Sequence, residues 1–125
     1  MDEAAVRALF ARHWEFAGSD QDIAHEMYHD DAILEFPQSG ERFDGVDNFR
    51  EWRRMYPAAL AFEIREIRGD GDLWVAENSI SYDGGPWNLS VNILEFRDDK
   101  VARETIYITQ EWEAPAWRDP WRATQ

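Results

Sequence analysis

The half of the chain after Phe62 constrains the fold most. Four segments there, 62–68, 73–82, 87–96 and 101–110, are rich in β-branched and aromatic residues. Short polar breaks separate them: Gly69-Asp70-Gly71-Asp72, Asp83-Gly84-Gly85-Pro86 and Arg97-Asp98-Asp99-Lys100. Breaks this short join neighbouring antiparallel strands, so the segments read as one meander. Such a sheet must cover one face, and only the first half of the chain is left to do it.

That first half has helical period. Residues 2–17 set Ala5, Val6, Leu9, Phe10, His13, Trp14 and Ala17 on one stripe. Gly18 ends this helix, and Ser19 or Asp20 caps a second, 22–28, which buries Ile23, Met27 and Tyr28. Asp30-Asp31-Ala32 stops it, with the two aspartates as turn formers, and a strand follows over 33–36, closed by Pro37. Gln38-Ser39-Gly40-Glu41 turns the chain, and Asp44-Gly45 leads into a third helix, 46–55, before Pro57. Glu41, Asp44 and Asp47 are expected to cap that helix and face its N-terminal dipole. Helices first and sheet afterwards is the α+β pattern. The tail holds three tryptophans, Trp112, Trp117 and Trp121, and two prolines, Pro115 and Pro120, and is expected to pack over the sheet or a pocket mouth.

The 125 residues form one domain, 1–125, with no repeat, linker or low-complexity tract, and 44% hydrophobic content suffices for a core. No apolar run nears the ~20 residues of a membrane span. The acidic, helical start MDEAAVRALF has no basic leader, so a cytoplasmic protein is expected. The absence of cysteine removes disulfides, thiolate catalysis and Cys-based zinc sites. Twenty-six acidic residues against 13 basic give a net charge of −13, which repels a phosphate backbone and argues against nucleic acid. The same charge reads as a solvated surface or, less directly, as attraction for cationic substrates. Seven tryptophans can wall a pocket, fill a core or cover a subunit interface.

Period-two alternation identifies the chemistry on the covered face. On the last strand Glu104 shares a face with Ile106 and Ile108, a carboxylate in an apolar row. Asn78 shares one with Trp74, Ala76, Ile80 and Tyr82, and Asn92 with Leu94 and Phe96. A carboxylate walled by apolar groups titrates high and can shuttle a proton near neutral pH. Asparagines can hydrogen-bond a carbonyl or developing oxyanion, and His13 on the core stripe is a second acid or base. Glu104, His13 and Asn92 are therefore the candidate catalytic residues. Phe10, Trp14, Phe36, Trp52, Tyr56, Asn78 and Ile106 are the candidate pocket wall. The structural alternative pairs Glu104 with an arginine such as Arg53 and spends the asparagines on backbone groups.

The segment SDQDIAHEMYHDDAILEFPQSGERFDGVDNFREWRRMYP runs helix, aspartate pair, strand, proline, glycine turn, helix. In that order it resembles the nuclear transport factor 2-like superfamily, which includes SnoaL-like cyclases and ketosteroid isomerases. The resemblance covers nearly the whole chain. It implies three helices packed on a strongly curved, mostly antiparallel sheet, a cone with one pocket, and a homodimer paired through its sheets. Ketosteroid isomerases carry a tyrosine in the first helix, a basic aspartate before the strand-ending proline and a buried aspartic acid late in the sheet. The matching positions here are Ala11, Phe36 and Asn92, so steroid isomerisation is not carried over. SnoaL-like cyclases use a pocket carboxylate, a role Glu104 or Glu35 would take by position.

His25-Glu26-Met27-Tyr28-His29 matches H-E-x-x-H, the zinc hydrolase motif. It lies on a last helical turn, Met27 and Tyr28 claim the core side and so turn both histidines to solvent, and no third histidine follows. No metal and no cofactor are expected. The reading is a small-molecule-binding protein for an apolar or amphipathic ligand. Its chemistry would be that of a cofactor-free isomerase, cyclase, dehydratase or hydrolase working by general acid–base catalysis. The alternative is a non-catalytic ligand-binding or accessory dimerisation domain.

Overall fold

The computed structural model describes residues 1–123. Helix α1 spans Glu3–Phe16 and α2 Gln21–Ala24, followed by a 3-10 turn, His25–Met27. Strands β1 (Tyr28–Phe36) and β2 (Glu41–Asp44) precede α3 (Val46–Arg54). Then come β3 (Leu60–Asp70), β4 (Leu73–Tyr82), β5 (Trp87–Arg97), β6 (Lys100–Thr109) and a 3-10 segment, Ala116–Trp121. The sheet has six strands in the order β2-β1-β6-β5-β4-β3. Every pairing is antiparallel except β1 with β6, which is parallel. The architecture is α+β, with the N-terminal helices on the concave side of an open, curved sheet.

Helix α1 starts where the Asp2 carboxylate accepts from the Ala5 backbone N–H, and it buries Val6, Phe10, His13 and Trp14. Its buried stripe packs across the sheet, with Phe10 stacked on Phe96 at 6.0 Å. Gly18 is required just beyond it, because a Cβ there would sit 2.4 Å from the Leu60 carbonyl oxygen. Asp20 caps α2 by accepting from the Ile23 N–H. Leu34, Phe49, Leu94 and Val101 complete the fully buried core.

Several local expectations are corrected. The second helix was expected over 22–28, but it gives way at His25, and Tyr28 already pairs with Val101 of β6. Long-range sheet pairing here overrides a short helix with little propensity of its own. Asp30 and Asp31 are not a turn: they lie inside β1, exposed, where the β1–β6 register shifts. A bulge accommodates them, and Asp31 accepts from Arg97 at 2.7 Å. Glu41 and Asp44 are not helix caps either, since both belong to β2, which the sequence reading lacked. The N-cap of α3 is Gly45, at φ 90°, with no side-chain cap bond, leaving only Asp47 in the first turn. The tail covers neither sheet nor pocket: Trp112, Trp117 and Trp121 are 72–79% exposed. Strand pairing ends at Thr109, and the prolines beyond it cannot extend the ladder. No helix among the described residues is long and apolar enough to cross a membrane.

Candidate active site: a buried carboxylate in an aromatic cone

Residues of α1, α3 and the concave sheet face enclose a cavity of about 120 Å³. Its aromatic wall is Trp14, Phe36, Trp52, Tyr56, Phe62 and Tyr82, and Leu60, Ile80, Ile106 and Ile108 complete the apolar lining. Polar groups come from His13, Gln21, Arg53, Ser90, Asn92 and Glu104. A second, polar cleft of about 430 Å³ adjoins it, sharing Ala17, Gln21, Arg53, Tyr56 and Leu60.

Strand register places the polar floor. Glu104 pairs with Leu94 on one side and Leu34 on the other, so its side chain points to the concave face between apolar neighbours. Asn92 pairs with Ile106, one step along the same face. Glu104 is 0% exposed. Its Oε1 accepts from the Tyr28 hydroxyl at 2.5 Å and its Oε2 from Asn92 Nδ2 at 2.8 Å. Arg53 Nη2 stands 3.9 Å from Oε1. Asn92 is itself held by Ser90 Oγ, which donates to its Oδ1 at 2.7 Å, and by Asn78 Nδ2 at 3.4 Å. These donors complement a carboxylate.

Arg53 is fixed from α3. Its Nη1 donates to His25 Nε2 at 3.0 Å and to the Tyr28 hydroxyl at 3.3 Å. The rings of Phe49, Trp52 and Tyr28 lie 5.4, 5.6 and 6.0 Å from the guanidinium carbon. His13 Nδ1 donates to the Ala24 carbonyl at 2.6 Å, leaving Nε2 with no partner among the described residues. Burial pushes the His13 pKa down to about 4 against an opposing pull from Glu104. His25 donates from Nδ1 to the Gln21 carbonyl at 2.6 Å, and burial together with Arg53 pushes its pKa down to about 3. Both imidazoles are neutral at pH 7. Burial, then Glu104, holds the Tyr28 phenol well above its ordinary range, so it stays a donor.

Of the sequence candidates, Glu104, His13, Asn92, Trp14, Phe36, Trp52, Tyr56 and Ile106 line the cavity. Phe10 and Asn78 do not. Phe10 sits one helical turn behind Trp14 in the core, and Asn78 lies beneath Asn92. Glu35 is outside as well, on the opposite sheet face, where it accepts from Arg103 Nε at 2.8 Å. His25 was expected at the surface, yet it is 4% exposed and turned onto Arg53. With the helix ending at Ala24, the four-residue spacing no longer puts His25 and His29 on one face, and His29 instead bonds the Arg97 carbonyl. No cluster of three or more metal-ligating side chains occurs among the described residues.

Tyr28, His25, Ser90 and the docking geometry of Arg53 were not read from the sequence. Ser90 had a signal, since it stands two residues from Asn92 and shares its face. Tyr28 had none, because its role depends on where α2 stops.

The SnoaL-like domain model matches residues 6–104. The chain is similar to an NTF-2-like protein of unknown function from Burkholderia xenovorans LB400, with 42% identity, a TM-score of 0.90, and 98% of this chain and 97% of that one covered. It also resembles a putative ketosteroid isomerase from Kribbella flavida DSM 17836, with 20% identity, a TM-score of 0.84 and coverage of 98% and 90%. A putative polyketide cyclase from Sinorhizobium meliloti shares the fold at 21% identity and a TM-score of 0.70, with coverage of 82% and 98%. No curated protein matches. With the helix-first order, the curved sheet and the domain match over most of its length, the chain belongs to the SnoaL-like family of the NTF2-like superfamily.

Proposed function

We propose that this chain is an enzyme that moves a proton on a small, largely apolar or amphipathic substrate held in the cone, with Glu104 as the general base. One observation carries the reading: a fully buried carboxylate forms part of the floor of an aromatic cavity, with a donor set on each oxygen. Burying a charge is costly, and an apolar pair of similar volume often serves stability as well or better. Each carboxylate oxygen has two lone pairs and takes one short bond here, so one lone pair on each remains for a substrate proton.

Glu104 would take a proton from a carbon next to a carbonyl, or from water, while Asn92 and Tyr28 fix its plane. The neutral His13, with Nε2 open to the cavity, would receive or return a proton at the other end of the substrate. Isomerase, cyclase, dehydratase and hydrolase chemistry all admit this first step. The names of the similar folds, a ketosteroid isomerase and a polyketide cyclase, lie in the same range. We propose a cytoplasmic homodimer, paired through the convex sheet face, as the working form.

The test is exchange of α-protons on a panel of small ketones, acetophenone among them, in D2O followed by NMR. Wild type should accelerate exchange by about a hundredfold or more, the usual contribution of a placed base, and Glu104→Gln should abolish this. A second reading, binding without turnover, has one observation in its favour: both Glu104 oxygens already have partners. Saturable ketone binding with no exchange in wild type would select it and remove the enzyme reading.

A further inference from the structure

We infer that Arg53 is the ligand-docking group of the cavity and that it selects neutral molecules bearing a carbonyl oxygen over both hydrocarbons and carboxylates. This rests on the proton-transfer reading above for the part Glu104 plays, and it names the substrate class of that same site.

A guanidinium offers five N–H donors. Arg53 spends the two on Nη1, on His25 and Tyr28. Nη2, 3.9 Å from Glu104, is too far for a hydrogen bond, and Nε bonds nothing among the described residues. Three donors are therefore open. They are not sealed in: the enclosed, unpartnered side-chain atoms of the described residues are Arg50 Nε, Trp52 Nε1 and Asn78 Oδ1. Arg53 borders both the apolar cavity and the polar cleft, so the space its donors open onto is the site itself.

Charge decides which acceptor suits them. Arg53 is already matched by Glu104, and neither neighbouring histidine carries charge near pH 7. A carboxylate ligand would set two anions against one cation inside an aromatic wall. Asp20 and Asp22 on the adjoining cleft add to the repulsion, although Asp22 pairs with Arg54. A hydrocarbon would strip water from three N–H groups and return nothing. A neutral carbonyl accepts from them without adding charge.

The same placement suits the proposed step. As Glu104 takes the proton, the C–H electron pair becomes the new C=C bond, and the carbonyl π pair moves onto oxygen. Negative charge leaves Glu104 and appears on the oxygen docked at Arg53. The guanidinium faces one anion before the step and one after it.

Three probes of nearly equal size test this: acetophenone, ethylbenzene and benzoate, titrated against the intact chain by tryptophan fluorescence, since Trp14 and Trp52 line the cavity. Wild type should bind acetophenone about tenfold or more tighter than either of the others, the worth of a hydrogen bond to a charged donor. Its carbonyl stretch should shift to lower frequency on binding. Arg53→Met alone strands a buried carboxylate, so the working variant is Arg53→Met/Glu104→Gln, which removes both charges. There the preference and the frequency shift should disappear. Equal binding of acetophenone and ethylbenzene, tightest binding of benzoate, no binding of any probe, or a preference kept in the double variant would each overturn the inference. Acetophenone preference without α-proton exchange removes the Glu104 base reading and leaves the docking role. Exchange without the preference does the reverse.

Discussion

Arg53 Nη2 and Glu104 Oε1 stand 3.9 Å apart, near enough to neutralise one another and too far to share a proton-bearing bond. Tyr28 fills the gap, accepting from Arg53 Nη1 and donating to Glu104. The three residues come from α3, β6 and the start of β1, so this contact ties helix layer to sheet. Breaking one member should be felt through the whole fold.

Arg53→Met should destabilise the protein by about 3–5 kcal/mol, because it leaves a fully buried carboxylate without its cation. Glu104→Gln should cost less, since the amide keeps one acceptor oxygen. The double variant should recover most of the loss. Denaturant midpoints for the four proteins give the coupling directly, and simple additivity would show that the pair is not an ionic unit.

Acid should destabilise the fold through its two buried histidines. Their folded pKa values, about 4 for His13 and about 3 for His25, lie below the unfolded value of 6.5. Between those limits the unfolded chain binds more protons, so stability rises with pH. The contribution is fully present above about pH 6.5, falls as pH drops, and levels off near pH 4 for His13 and pH 3 for His25. His13→Asn, which keeps a donor toward the Ala24 carbonyl, should flatten the melting temperature between pH 6.5 and 4 relative to wild type. An unchanged pH slope would show that His13 does not report on folding.

Removing the prop behind Asn92 separates orientation from presence. Ser90→Ala deletes the 2.7 Å bond to Asn92 Oδ1 and should cost about 1 kcal/mol, the usual net worth of such a bond. Asn92→Leu leaves Glu104 Oε2 without its donor and should cost more, about 1–3 kcal/mol, as an unsatisfied buried acceptor does. Thermal melts that rank the two in the opposite order would show that the Asn92–Glu104 bond contributes less to stability than the Ser90–Asn92 bond behind it.

The convex face should pair two copies. Leu73, Trp87 and Tyr107 alternate away from the helices and are 42–52% exposed, spread along a face that also carries the Arg103–Glu35 and Arg103–Glu95 ion pairs. Sedimentation should give a dimer at micromolar concentration, and Tyr107→Glu combined with Trp87→Glu should yield a folded monomer. A monomeric wild type would remove the proposal.

Sequence periodicity determined the layers of this protein. Alternation over β4, β5 and β6 sorted Asn92, Glu104 and Ile106 onto the face that α1 covers, because a strand can present only two faces. The helical stripe through Phe10, His13 and Trp14 supplied the cover for the same geometric reason. Tertiary structure alone decided three further things. It ended α2 at Ala24, since parallel pairing of Tyr28 with Val101 outweighed four residues of weak helix. That early end turned His25 inward onto Arg53 and brought the Tyr28 hydroxyl to Glu104. It built β2 from residues that look like helix caps, because a partner strand offers their backbone more than a cap does. Lastly, it formed the Arg53–Glu104 ion pair, which the sequence offered only as the structural alternative for Glu104, and set its 3.9 Å spacing across 51 positions of chain (104 − 53), a geometry no local pattern encodes.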